Sequence, residues 1–266
     1  MTNGGEERFA LVTGSSGGIG LEIARELAAR HYALVLAARS EGRLAAAAAE
    51  LTGAHGVRVD SVAVDLAVPE GPARLAAALQ TKGIEPEILV NNAGVGMHGP
   101  LAEADAAALA SMLQLNVTSL ALLTRLLLPG MRARGRGRIL NVASTAGFVP
   151  GPFMAGYYAS KAFVLSLSVG LAEELRGTGI TVTALCPGAT ASEFAARAGN
   201  ERSRLFRRGV MEAKPVARAG VEGMLAGKGI VVPGLANRVI AGSSGLGPRW
   251  LAARIARFLN EPAGQS

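Results

Sequence analysis

The chain has 266 residues, half of them hydrophobic, enough to bury a substantial core in one large α/β domain. A net charge of +7 raises nucleic-acid binding, but the basic residues are scattered or gathered in one segment, no nucleic-acid module is visible, and aromatics are only 4%, too few for base stacking. The single cysteine, Cys186, rules out an intrachain disulfide and suits a reducing, cytoplasmic setting.

The polar start, Met1 to Arg8, lacks the apolar core of a signal peptide. Phe9-Ala10-Leu11-Val12 is a short apolar run ending in the glycine turn Thr13 to Gly20, and Ile19, Ile23 and Leu27 carry helical periodicity through to Arg30. This reads as strand, phosphate loop and helix. Glycines at 14, 18 and 20 let backbone approach a pyrophosphate, and the helix N-terminus offers free N–H groups to it. The spacing is not G-x-G-x-x-G, so tight packing of helix on strand is the alternative.

Further strand-like runs at 33–36, 62–64, 88–90, 138–142, 180–185 and 230–232 alternate with longer helical stretches. That alternation predicts an α/β fold, a doubly wound parallel sheet with helices on both faces. Ligands of such sheets bind beyond the carboxyl ends of the strands, where Asp65, Asn92, Ser144 and Pro187 fall. The apolar stretch Leu113 to Leu128 is interrupted by Asn116 and Arg125 and reads as a buried helix rather than a membrane span. Cys186 follows an apolar strand, as a buried small hydrophobe does.

Tyr157 and Lys161 lie four residues apart, so on a helix they share one face. A free phenol has a pKa of about 10, and a cation a few ångströms away favours its ionised form. Lys161 is therefore expected to bring Tyr157 toward working pH, although a core ring beside a solvated amine gives the same pattern.

Thr13-Gly14-x-x-x-Gly18-Ile19-Gly20, Asn91-Asn92-Ala93-Gly94, the set Asn116, Ser144, Tyr157 and Lys161, and Pro187-Gly188 stand in an order that resembles the short-chain dehydrogenase/reductase family, over roughly Arg8 to Ser192. The resemblance implies a single Rossmann-type domain over residues 1–266 that moves hydride between a nicotinamide cofactor and a ketone, aldehyde or secondary alcohol. It implies Tyr157 as general acid, Ser144 bonded to the carbonyl oxygen, Lys161 on the nicotinamide ribose and Asn116 anchoring a relay water. Asn116 serving only backbone groups, and Ser144 capping a turn before Thr145 and Ala146, are the structural alternatives. Cofactor contacts are implied at Gly14, Ser16, Gly18, Ile19, Gly20, Asp65, Leu66, Asn92, Ala93, Gly94, Pro187 and Gly188, besides Tyr157 and Lys161, and no metal is implied. Ser192 stands where the family commonly has a carboxamide-binding threonine. For Asp65 a helix N-cap is the alternative.

The second strand ends Ala37-Ala38-Arg39-Ser40, without the acid that would bond a ribose 2′-OH. Arg39 suits a 2′-phosphate, so NADPH is expected over NADH, although Gly17 stands where many NADP-preferring relatives carry a basic residue. Tyr158 is expected to flank the cleft. Residues 189–218 are expected to form a substrate lid whose apolar side chains favour a hydrophobic substrate. Residues 234–266 are a helical extension with Trp250, Leu251, Ile255 and Phe258 on one side and Arg249, Arg254 and Arg257 among the rest. That stripe is expected to pack on its own domain or on a subunit, with an anionic membrane as the third option. The family implies a homodimer or homotetramer. A non-catalytic NADP-binding sensor or scaffold is the alternative function; an epimerase or dehydratase is disfavoured by length.

Overall fold

The computed structural model describes residues 7–191, 210–243 and 247–261. Seven parallel strands form its sheet: β1 (Phe9–Thr13), β2 (Ala33–Ala38), β3 (Val59–Ala63), β4 (Ile88–Asn91), β5 (Gly137–Val142), β6 (Ile180–Leu185) and β7 (Ile230–Val231), in spatial order β3-β2-β1-β4-β5-β6-β7. Side chains alternate across each strand. Ala10, Val12, Leu34, Leu36 and Val90 face one core with Ile23, Leu27, Leu44, Leu51 and Val221. Leu11, Val35, Leu89, Ile139 and Val182 face the other, with Leu75, Leu79, Leu123 and Met131. Because both faces are covered, the central strands read as continuous apolar runs.

The helices on these faces are α1 (Gly18–Ala28), α2 (Glu41–His55), α3 (Gly71–Thr81), α4 (Ala106–Leu113), α5 (Leu120–Arg134) and α6 (Ala155–Glu174), followed by Ala213–Leu225, Leu235–Ser243 and Arg249–Asn260. Strand β1 pairs with β2 on one side and β4 on the other, so the order reverses there and leaves a crevice at the carboxyl ends.

Three expectations change. Strand β3 begins at Val59 rather than Val62, because it is an edge strand that tolerates Asp60, held by Arg58 Nε at 2.8 Å and Lys82 Nζ at 3.1 Å. The helical run Ala106–Arg134 is long and apolar enough to cross a membrane, and it is less buried than its sequence suggests, with Leu113, Leu122 and Leu126 exposed. Its polar side chains tie it to the sheet: Ser119 Oγ donates to Leu66 O at 2.5 Å, and Thr124 Oγ1 accepts from Asn91 Nδ2 at 2.9 Å. The Arg249–Asn260 helix does not bury its apolar stripe; its small residues face the protein, with Ala256 and Asn260 buried.

Candidate active site

The glycine turn is held rigid from two sides. Thr13 Oγ1 donates to Val90 O at 3.1 Å and accepts from the Asn92 and Ala93 amides, while Asn92 Nδ2 donates to Thr13 O at 2.9 Å and Gly14 O at 3.1 Å. Gly14 and Gly18 adopt φ of 65° and 57°, which other residues avoid. A Cβ on Gly20 would lie 2.4 Å from Asn92 Nδ2 and 2.5 Å from Gly14 O. Gly20→Ala is therefore expected to lower stability by about 1–3 kcal/mol, read as a drop in the denaturant midpoint, and to weaken dinucleotide binding. The N-terminus of α1 has no side-chain cap, leaving its amides available to an anion.

These residues open onto a cleft of about 350 Å³ that runs across the strand ends. Gly14, Ser16, Gly18, Ile19, Arg39, Asp65, Leu66, Asn92, Ala93, Gly94, Pro187 and Gly188 line it, as do Ser144, Tyr157 and Lys161. Gly20 stands one residue beyond the lining and shapes the turn. Asp65 does not cap a helix; its Oδ1 accepts from Ala67 N at 2.8 Å, and α3 starts later, after Glu70. Ser192, and Phe194, Leu205 and Phe206 of the expected lid, lie outside the described residues.

At the end of β2, Arg39 is exposed and makes no ion pair among the described residues. Ser40 caps α2, and Arg43 in the first turn brings its guanidinium to 2.7 Å from where a Cβ of Gly17 would stand. Arg43 thus occupies the space of the basic residue expected, and missing, at position 17. The glycine cradle, the uncapped α1 and this pair of arginines fit a dinucleotide bearing a 2′-phosphate.

At the other end of the cleft, Tyr157 and Lys161 stand on α6, both buried. Lys161 Nζ donates to Val142 O at 2.7 Å and lies 5.8 Å from the Tyr157 ring centroid. Burial pushes the Tyr157 phenol well above its ordinary range, opposed by a hydrogen bond with Ser144. The expected lowering by Lys161 is thus outweighed: the ammonium is engaged with a carbonyl, and burial lowers its own pKa to about 8. Unfolded, Lys161 keeps its proton up to 10.5. Between these values the unfolded chain binds more protons than the native one, so stability rises with pH. Relative to Lys161→Met, the cofactor-free wild type is expected to gain up to about 3 kcal/mol between pH 8 and 10, measured by denaturant unfolding.

Ser144 Oγ accepts from Ala146 N at 3.1 Å, capping the turn Thr145–Phe148, and also reaches Pro187 O at 3.3 Å. Asn116 sits in a π-helical turn, Gln114–Ser119, between α4 and α5. Its Oδ1 accepts from Val95 N at 3.0 Å and its Nδ2 donates to Val95 O at 2.9 Å and to Ser160 Oγ at 3.1 Å. It therefore pins the loop after β4 while presenting Oδ1, with Lys161 Nζ, toward Gly94. Cys186 is fully buried and its thiol is pushed up to about 12 by burial, as an inert core group would be.

Tyr158 lines the cleft and meets Tyr157 edge-on, with ring centroids 6.1 Å apart. Gly151 makes room for it, since a Cβ there would lie 2.3 Å from the Tyr158 ring. Lining residues that no sequence motif marks include Arg43, Val95, Met154, Ile240 and Leu259, and Thr190 stands at the start of the expected lid. Thr190 places a hydroxyl two residues short of Ser192, its Oγ1 donating to Gly188 O at 3.0 Å.

The chain matches the short chain dehydrogenase family over residues 8–203. It belongs to the short chain dehydrogenase family. It is 44% identical over 191 residues to a Streptomyces violaceoruber protein named as a ketoacyl reductase of the granaticin polyketide synthase, covering 71% of this chain and 70% of that one. To the very-long-chain 3-oxoacyl-CoA reductase of Anas platyrhynchos it is 39% identical over 184 residues, covering 67% of this chain and only 58% of the longer relative. A solved short-chain dehydrogenase from Sphingobium yanoikuyae in complex with NADPH superposes with a TM-score of 0.81 at 35% identity, covering 90% of this chain and 93% of that one. As a short chain dehydrogenase, this protein is an oxidoreductase of CH–OH and C=O groups that uses a nicotinamide cofactor.

Proposed function

We propose that this short chain dehydrogenase reduces an extended hydrophobic ketone, of the 3-oxoacyl or bulky-ketone class, with Tyr157 as proton donor. The observation that carries this is the apolar end of the cleft around Tyr157, where Val95 and Met154 pack with Tyr158, and Ile240 and Leu259 complete the lining. When bound, NADPH would supply the hydride for the carbonyl carbon. Ser144 Oγ orients and polarises the carbonyl oxygen, and the Tyr157 phenol gives its proton to that oxygen as the carbon is reduced, so the product is the secondary alcohol. Lys161 would hold the cofactor ribose, and its ammonium would return a proton to the phenolate through a water near Asn116 Oδ1, taking its own back from solvent. A phenol held above its ordinary pKa is protonated at neutral pH, which suits reduction. Oxidation needs the phenolate, and its rate is expected to climb with pH while reduction stays flat through neutrality, as initial rates in both directions will show.

Residues 1–266 form one catalytic unit in this reading, with 189–218 as its lid, and the enzyme works in the cytoplasm. It assembles through the exposed apolar side chains Leu122 and Leu126 on α5 and Phe163 and Val169 on α6. The test of the substrate class is a series of 3-oxoacyl thioesters and aryl ketones of increasing chain length. Each added methylene is expected to raise kcat/KM about four-fold until the apolar end is filled. A flat series would reject the class.

A further inference from the structure

Helix Arg249–Asn260 is oriented against its own amphipathic pattern. Asn260 is fully buried and fixes that orientation: its Oδ1 accepts from Tyr158 Oη at 3.3 Å, its Nδ2 donates to Pro152 O at 2.9 Å, and its carbonyl meets His98 Nε2 at 2.8 Å. With Ala252, Ala253 and Ala256 also inward, the large apolar residues point to solvent: Trp250 is 60% exposed, Leu251 44%, Ile255 58% and Phe258 49%. Surface helices normally do the reverse. Helix Leu235–Ser243 exposes Leu235, Val239 and Ile240 in the same way, and both helices reach the cleft, through Ile240 and Leu259. From Pro233 to Glu261 the chain carries four arginines, Arg238, Arg249, Arg254 and Arg257, and one acid. That acid, Glu261, pairs with Arg257 at 3.0 Å, while the Arg254 guanidinium lies over the Trp250 ring.

We propose that this face docks on an anionic phospholipid bilayer, with Trp250, Leu251, Ile255 and Phe258 entering the headgroup boundary and the arginines meeting phosphates. The charge favours this occupant over a second copy, because a two-fold contact would set the arginine-bearing face against itself. The position at the cleft mouth favours it too. A lipid surface delivers an apolar compound to the cleft, whereas a docked protein would cover the entrance. Docking itself does not depend on catalysis, so it can stand or fail apart from the proposed substrate class.

Trp250 is the only tryptophan in the chain, so intrinsic emission of the full-length protein reads this face directly. Adding phosphatidylcholine vesicles that contain phosphatidylglycerol is expected to shift the emission to the blue and to carry the protein into the pellet. Pure phosphatidylcholine should bind much less, and high salt should reverse binding. The double variant Arg249→Glu with Arg254→Glu is expected to lose at least about ten-fold in affinity for the anionic vesicles. Phe258→Ser should also weaken sedimentation while NADPH binding persists, which shows the fold intact. No shift with either vesicle, equal binding to both, or a blue shift that follows protein concentration without lipid would each overturn the proposal.

Discussion

Replacing Tyr157 with Phe is expected to reduce turnover about 10²- to 10⁴-fold while NADPH affinity stays close to wild type. The phenol oxygen is the one group removed. The ring and its edge-on contact with Tyr158 remain, and so does the α6 backbone that carries Lys161, so the fold has no reason to change. The only other phenol lining the cleft among the described residues, Tyr158, has its hydroxyl committed to Asn260 Oδ1 at 3.3 Å, so it is poorly placed to rescue the reaction. Tyr158→Phe serves as the control: it loses that bond and is expected to retain most turnover. Stopped-flow hydride transfer in the two variants separates the roles, and a Tyr157→Phe enzyme with wild-type rates would remove Tyr157 from the chemistry.

The second large effect concerns the cofactor. Arg39 and Arg43 flank the glycine turn at the end of β2, where no acid stands to bond a ribose 2′-OH. A charged hydrogen bond contributes about 1.5–3 kcal/mol, so each arginine→Ala change is expected to weaken NADPH binding at least about ten-fold and the pair about a hundred-fold or more. NADH lacks the 2′-phosphate and should be nearly unaffected. Titrating cofactor fluorescence quenching with NADPH and NADH reads the ratio without catalysis. Equal losses for both cofactors would place the arginines elsewhere than on the 2′-phosphate.

What the sequence disclosed and what it withheld follow from the physics of each element. The central strands were legible because a parallel strand buried on both faces must be apolar throughout; β3, on the edge, hid its first residues behind Asp60. The glycine turn, Asn92, Ser144 and Pro187 were legible because strand ends fix where ligands bind. Arg43 was not, since its reach depends on a helix starting at Glu41 and throwing its first-turn side chains back toward the glycine loop. Ser40, an N-cap residue just before that turn, was the available signal. Periodicity along Arg249–Asn260 told which side chains share a face but not which face looks inward; that was decided by Asn260, whose partners Tyr158, Pro152 and His98 lie far off in sequence. The upward push on the Tyr157 phenol was hidden for a similar reason, because burial and the engagement of Lys161 with the Val142 carbonyl are visible only in three dimensions.

The most direct test of the central claim is the transfer of deuterium from C4-deuterated NADPH to a hydrophobic 3-oxoacyl thioester, followed by mass spectrometry of the product. The account predicts one deuterium on the new carbinol carbon with wild type and a rate of labelling about 10²- to 10⁴-fold lower with Tyr157→Phe. Tight NADPH binding with no label in any alcohol product would contradict it and leave a cofactor-binding protein without reductase chemistry.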